Sequence, residues 1–208
     1  MRKRLSVLMS ILVAAVLTLA ACSGGGSKKD DSGGKGGVKS EKSENVLNLS
    51  STSDIPTMDS SLATDQVSFF TFNQTLEGLY VLDKDDKPVP GVAKGDPEKS
   101  DDGKTWTMKL RDDAKWSNGD PVTAHDFVYA WQRTVDPDTA AEYAYMFENI
   151  ENASEITSGK KKPEELGVKA IDDQTLEVKL VKDVPWMQSL FAFGSFMPQN
   201  EKFVEKQG

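Results

Sequence analysis

The chain has 208 residues, a formal net charge of −8 at neutral pH, one cysteine and one histidine. The acidic balance excludes nucleic acid as a partner, because phosphate binding needs clustered Lys and Arg. One Cys and one His leave neither an intrachain disulfide nor a zinc-type cluster, so no metal or cofactor is expected.

Arg2, Lys3 and Arg4 form a basic start, and Leu5 to Ala21 is an apolar run broken only by Ser6, Ser10 and Thr18. That pattern reads as a secretory signal peptide over residues 1–21. It is shorter and richer in Ala than a membrane span of about 20 strongly apolar residues. Leu19-Ala20-Ala21-Cys22 resembles a bacterial lipobox. The resemblance implies cleavage before Cys22 and lipidation of its thiol, which anchors the protein to the membrane. The mature chain is then three charges more negative, since Arg2, Lys3 and Arg4 leave. Residues 22–45 hold Gly, Ser and Lys with no aromatic side chain. Such a segment cannot bury enough apolar surface to order itself and reads as a flexible tether. A long tether points to a Gram-positive cell wall; in a Gram-negative source the protein would face the periplasm.

From Val46 onward the chain is long enough for one domain core. Val46, Leu47 and Leu49 open an extended segment that ends in a loop near Pro56. A helix is predicted from Gln66 to Leu76, with Gly78 near its C-terminus. Val81-Leu82 reads as a short strand, residues 83–87 as a polar turn, and Pro88 to Ala93 as returning apolar backbone. Residues 101–137, DDGKTWTMKLRDDAKWSNGDPVTAHDFVYAWQRTVDP, are the most informative run. Trp106, Met108 and Leu110 alternate with polar residues, as in a half-buried strand. Asn118-Gly119 supplies a turn. Thr123 is placed to cap a helix with Asp126 three residues on. Phe127, Ala130, Trp131 and Thr134 then share one helix face, and Asp136-Pro137 stops it. Residues 139–149 are predicted helical, 153–157 a short helix, and Lys160 to Lys162 a solvated loop. Residues 168–180 read as a hairpin turning at Asp172-Asp173, with Leu176, Val178 and Leu180 on one face. Pro185 to Phe196 is predicted as a buried helix, and another runs from Asn200 to Lys206.

The order of residues in the 101–137 run resembles the family 5 extracellular solute-binding proteins, the peptide, dipeptide and nickel receptors of ABC importers. QTLEGLYVLD, PGVAKGDPEKSDDGKTWT and GVKAIDDQTLEVKL extend the likeness, most closely to the oligopeptide-binding branch. Two places depart from it. Met58-Asp59-Ser60 stands where many members have Leu-Asp-Pro, and the usual Trp is replaced near Asp96-Pro97. The resemblance implies a mixed α/β, two-lobed fold of the periplasmic-binding-protein type II class. Residues 46–76 would start the ligand-binding lobe with its N-terminal strand, 77–198 would form an extra domain, and 199–208 would return toward the first lobe. Members run for several hundred residues more, so the resemblance implies an N-terminal fragment that binds peptide weakly when alone. It implies a monomer on the extracellular membrane face that captures oligopeptides and passes them to ABC transporter permease subunits. Ligand contacts carry over to the loop Ala63, Thr64, Asp65 and Gln66, and to Tyr143. The Trp residues of the signature run fall in the core of the extra domain.

Other readings of the same residues are weaker. Thr64 or Asp65 could simply cap the following helix, and Tyr143 could be ordinary packing. A hydrolase would need converging carboxylates. The adjacent pairs Asp101-Asp102, Asp112-Asp113 and Asp172-Asp173 instead point apart on strands or face water on turns. His125, in the first turn of a helix, reads as structural or solvent-facing. A pheromone sensor or an adhesin could be built on the same scaffold, as could a dipeptide or nickel receptor.

Overall fold

A computed structural model describes residues 47–207; the signal peptide, Cys22, the tether and Val46 lie outside the described residues. Strand β1 (Tyr80–Leu82) pairs antiparallel with β2 (Pro88–Pro90) as a two-stranded ribbon. Strands β3 (Glu98–Lys99), β4 (Thr105–Lys109), β5 (Val168–Asp172) and β6 (Thr175–Lys179) form an antiparallel sheet in the order β3-β4-β6-β5. The helices are α1 (Gln66–Thr75), α2 (Ala124–Val135), α3 (Ala153–Thr157), α4 (Met187–Leu190) and α5 (Glu201–Gln207).

Period-two alternation decides which face of the sheet is buried. Trp106 pairs with Val178 and Met108 with Leu176, and all four side chains are buried. The β5–β6 hairpin forms, but its turn is Asp173-Gln174, one residue beyond the predicted Asp172-Asp173, because Asp172 is still paired with Thr175; β6 slots beside β4. Helix α2 packs on this sheet with Phe127, Ala130, Trp131 and Thr134 buried along the predicted stripe. Trp131 lies at the centre of an aromatic layer. It stacks on Phe191 at 5.2 Å and meets Phe127, Phe147 and Phe196 edge-on. Edge and offset stacking suit the ring quadrupoles. The indole N–H of Trp131 donates to the Phe196 carbonyl at 3.0 Å, so the buried donor is satisfied. Of the three Trp in the signature run, Trp106 and Trp131 are fully buried and Trp116 is partly so.

The start of α2 carries the predicted cap. The Asp126 carboxylate accepts from the Thr123 amide at 2.7 Å and from the Thr123 hydroxyl at 3.1 Å. Gly119 in the preceding turn has φ +93°, a conformation glycine adopts without steric penalty. Burial raises the Asp126 pKa above its ordinary 3.8, although the bonds from Thr123 pull the other way. A folded-state pKa above the unfolded value means that the fold binds this proton more tightly. This contribution to stability is therefore greatest in acid and falls as pH rises through the folded pKa. Asp65, Asp102 and Asp172 behave oppositely, because hydrogen bonds lower their pKa values. Their contribution is present above the ordinary carboxyl value and is lost as the pH drops through the folded one. In thermal melts from acid to neutral pH, Asp126→Asn should gain stability relative to the parent as the pH rises. A flat or falling difference would refute the assignment.

Three further expectations are corrected. No strand forms at residues 47–50 among the described residues, where no partner strand lies beside them, and Leu49 is exposed. Helix α1 ends as expected, with Leu76 as its extended C-cap at φ −124° and Gly78 two residues on. Residues 139–149 are not one helix. Ala140 is left-handed at φ 53°, and the chain instead makes 3-10 turns at Pro137–Thr139 and Glu142–Phe147. The predicted helix over 185–196 is broken into α4 and a 3-10 turn at Gly194–Phe196, with Phe193 extended between them. Phe191 and Phe196 both pack against Trp131, whereas Phe193 between them turns to Phe69 and Tyr143. The extended backbone at Phe193 lets the rings diverge in this way; Trp186, ahead of α4, is exposed.

Candidate functional site

The predicted contact loop and Tyr143 are brought together. The Tyr143 hydroxyl donates to the Thr64 carbonyl at 3.3 Å across 79 positions of sequence. Within the loop the four residues have separate tasks. Ala63 is buried, and its amide donates to the Asp59 carbonyl at 3.0 Å. Asp65 caps α1, its carboxylate accepting from the Ser68 amide at 2.9 Å. Hydrogen bonds from the Ser68 side chain and backbone hold its carboxyl below the ordinary range, so it is ionised at neutral pH. Gln66 is the exposed first residue of α1. Capping and the contact with Tyr143 therefore coexist in this loop: Asp65 serves the helix, while the Thr64 carbonyl accepts from Tyr143.

Tyr143 is half-buried among aromatics from three segments. Phe69 of α1 stacks parallel to it, with centroids 6.0 Å apart and planes within 5°. Phe193 lies 5.8 Å away, tilted, and Tyr145 meets it edge-on at 6.0 Å. The structure thus joins two predicted contact regions into one surface, with Phe69 and Phe193 as additional members. Their apolar character was visible in the sequence; their convergence on Tyr143 was not.

A polar network behind this loop went unforeseen. Arg133 of α2 grips Asp59 with both terminal nitrogens, at 2.9 and 2.7 Å. The Gln199 amide donates to Asp59 at 3.0 Å, Ser60 at 2.9 Å and Ser61 at 3.0 Å. Ser61 in turn shares a 2.8 Å hydrogen bond with Thr134. No local pattern marks a pair 74 residues apart. Asp59 sits in the loop that departs from the family's usual Leu-Asp-Pro, so sequence reading drew attention to the place but not to the partner. Beside the network runs a groove of about 860 Å³, lined by Met58, Trp116, Arg133 and Phe203 among others. Ala63 to Gln66 and Tyr143 are not among its lining residues.

The adjacent acidic pairs lie on the surface. Asp101, Asp102, Asp112, Asp113, Asp172 and Asp173 are all exposed. His125 is exposed too, its Nε2 3.5 Å from Asp173. Among the described residues no group of His, Cys, Asp and Glu is placed to hold a metal ion, and no helix is long and apolar enough to cross a membrane.

The family model for bacterial extracellular solute-binding proteins, family 5 middle, matches residues 87–208. The chain belongs to the family 5 extracellular solute-binding proteins. Among relatives of this family, the oligopeptide-binding protein OppA of Bacillus subtilis is 42% identical over 170 residues, covering 82% of this chain and 31% of the relative. A structure of Listeria monocytogenes OppA bound to peptide superposes with a TM-score of 0.77 at 57% identity, over 80% of this chain and 33% of that one. The pheromone receptor PrgZ superposes with a TM-score of 0.71 at 42% identity, over 73% of this chain and 30% of its own. The chain spans about a third of the length of the relatives it matches. The fold class expected from the sequence, mixed α/β of the two-lobed type II periplasmic-binding-protein class, is that of these family 5 structures, of which this chain contains a part.

Proposed function

We propose that the protein is a lipid-anchored receptor on the outer face of the cell membrane, capturing oligopeptides and delivering them to the permease of an ABC transporter. The observation that carries this reading is the 57% identity to an OppA solved with peptide bound. The juxtaposition of Thr64 and Tyr143 supports it, because the two regions named as ligand contacts share one surface. Ala63 to Gln66 would offer backbone to an extended peptide, while Tyr143 would lie along it. Backbone pairing gives affinity that tolerates many side chains, which suits a receptor for mixed peptides. Cys22 would carry the lipid. The protein would act as a monomer without a cofactor, and its acidic chain would have no use for nucleic acid.

Calorimetry of the full-length protein with a mixed tetrapeptide library should give binding across many sequences. Tyr143→Ala should weaken it by about tenfold, as for a contact-forming aromatic anchor. Absence of binding to the library would reject the peptide-receptor reading. The likeness to a pheromone receptor favours one alternative outcome, in which a single peptide binds and the library at large does not. Cell fractionation tests the anchor separately: Cys22→Ala should move the protein into the soluble secreted fraction, and retention at the membrane would rule the anchor out.

A further inference from the structure

We propose that Phe69 is the positioning residue for Tyr143, and that Gly194 is glycine in order to seat Phe69. This rests on the reading of Tyr143 as a ligand contact. Phe69 is held from several sides. One face lies parallel to Tyr143, Phe193 tilts against it at 4.9 Å, and Phe72 meets it edge-on at 5.8 Å. At Gly194 the fit is tightest. A Cβ there would come within 2.4 Å of Phe69 Cδ1 and 2.6 Å of its Cε1. That is about 1 Å inside ordinary van der Waals contact. Gly194 has no positive φ, so its backbone does not require glycine. The space taken by the Phe69 ring does.

Tyr143 depends on that ring because its own backbone offers weak support. It lies in the 3-10 turn Glu142–Phe147, where hydrogen-bond geometry is poorer than in an α-helix. Its hydroxyl bond to Thr64 is long at 3.3 Å. The Phe69 face is thus the main surface setting the plane of the Tyr143 ring. Segment 193–194 and α1 are thereby coupled to a contact residue that neither contains. Gly194→Ala acts on this arrangement with no charge change and no backbone strain. Phe69→Leu removes the stacking face while keeping an apolar side chain.

The test uses the full-length protein with tyrosine rings labelled for NMR, Tyr143 assigned by its loss in Tyr143→Phe. Calorimetry uses the mixed tetrapeptide library. In Gly194→Ala and in Phe69→Leu the Tyr143 ring resonances should shift while those of buried Tyr80 stay in place, and affinity should fall about 3- to 10-fold. If Gly194→Ala does not fold, as judged by far-UV circular dichroism, Phe69→Leu decides the matter by the same readouts. Unchanged Tyr143 resonances overturn the positioning role alone. Shifted resonances with Tyr143→Ala still binding like the parent overturn Tyr143 as a ligand contact, and this proposal with it.

Discussion

Trp131→Ala should destabilise the folded domain by about 4–6 kcal/mol, the cost of a large core cavity plus a lost buried hydrogen bond. The indole is fully buried and touches four aromatic rings from three segments: Phe127 of α2, Phe147, and the pair Phe191 and Phe196. Its removal opens a cavity that the surrounding rings cannot collapse into, since each is held by its own backbone. The Phe196 carbonyl also loses its 3.0 Å donor in the dry interior. Against a total stability on the order of 5–15 kcal/mol, such a loss leaves much of the chain unfolded at growth temperature. Urea unfolding followed by far-UV circular dichroism measures it. Trp186→Ala is the control: that side chain is exposed, and its loss should cost less than about 0.5 kcal/mol. Equal costs at the two positions would mean that the aromatic layer is not the core described.

Asp59→Ala should cost about 2–3 kcal/mol, more than a surface ion pair and less than a fully buried one. The side chains decide that placement: Arg133 retains 23% of its exposure and Asp59 26%, so water screens the pair only in part. Removing Asp59 strands a guanidinium held by a two-pronged grip and takes one acceptor from the Gln199 amide. Arg133→Ala should cost a similar amount, and the double variant about as much as either alone, which is a coupling of about 2–3 kcal/mol. Strict additivity in that cycle would show the pair to be incidental. The effect should reach function as well. The Asp59 carbonyl holds the amides of Leu62 and Ala63, so the network fixes the loop that leads into Thr64. Peptide affinity of the full-length protein should fall alongside stability.

Where local rules governed, the sequence was readable. The Thr123–Asp126 cap, the stripe from Phe127 to Thr134, the alternation in β4 and, to within one residue, the β5–β6 hairpin all follow from spacing and turn chemistry over a few residues. Two segments misled. Residues 139–149 and 185–196 are apolar and aromatic enough for helices, but their rings must point at separate neighbours, and the backbone breaks to let them. The predicted strand at the start of the domain failed for a related reason: a strand is completed by its partner, and its own residues cannot supply one. The candidate site shows the same division. Asp65 as a cap could be read from its position before α1, whereas Tyr143 and its neighbours in the site belong to segments far apart in the chain.

By itself the sequence determined the family, through the residue order of 101–137, and the local elements whose hydrogen bonds close within a few residues. It also set which side chains had to be buried. Only the tertiary structure decided which of them meet: Phe69 between Gly194 and Tyr143, Arg133 on Asp59, Tyr143 on Thr64. The physical reason is range. Capping and periodicity act within one or two turns and leave their record in spacing. A ring stack or a carboxylate grip between residues more than 70 positions apart depends on how the sheet, α1 and α2 come together, and no spacing in the chain encodes it.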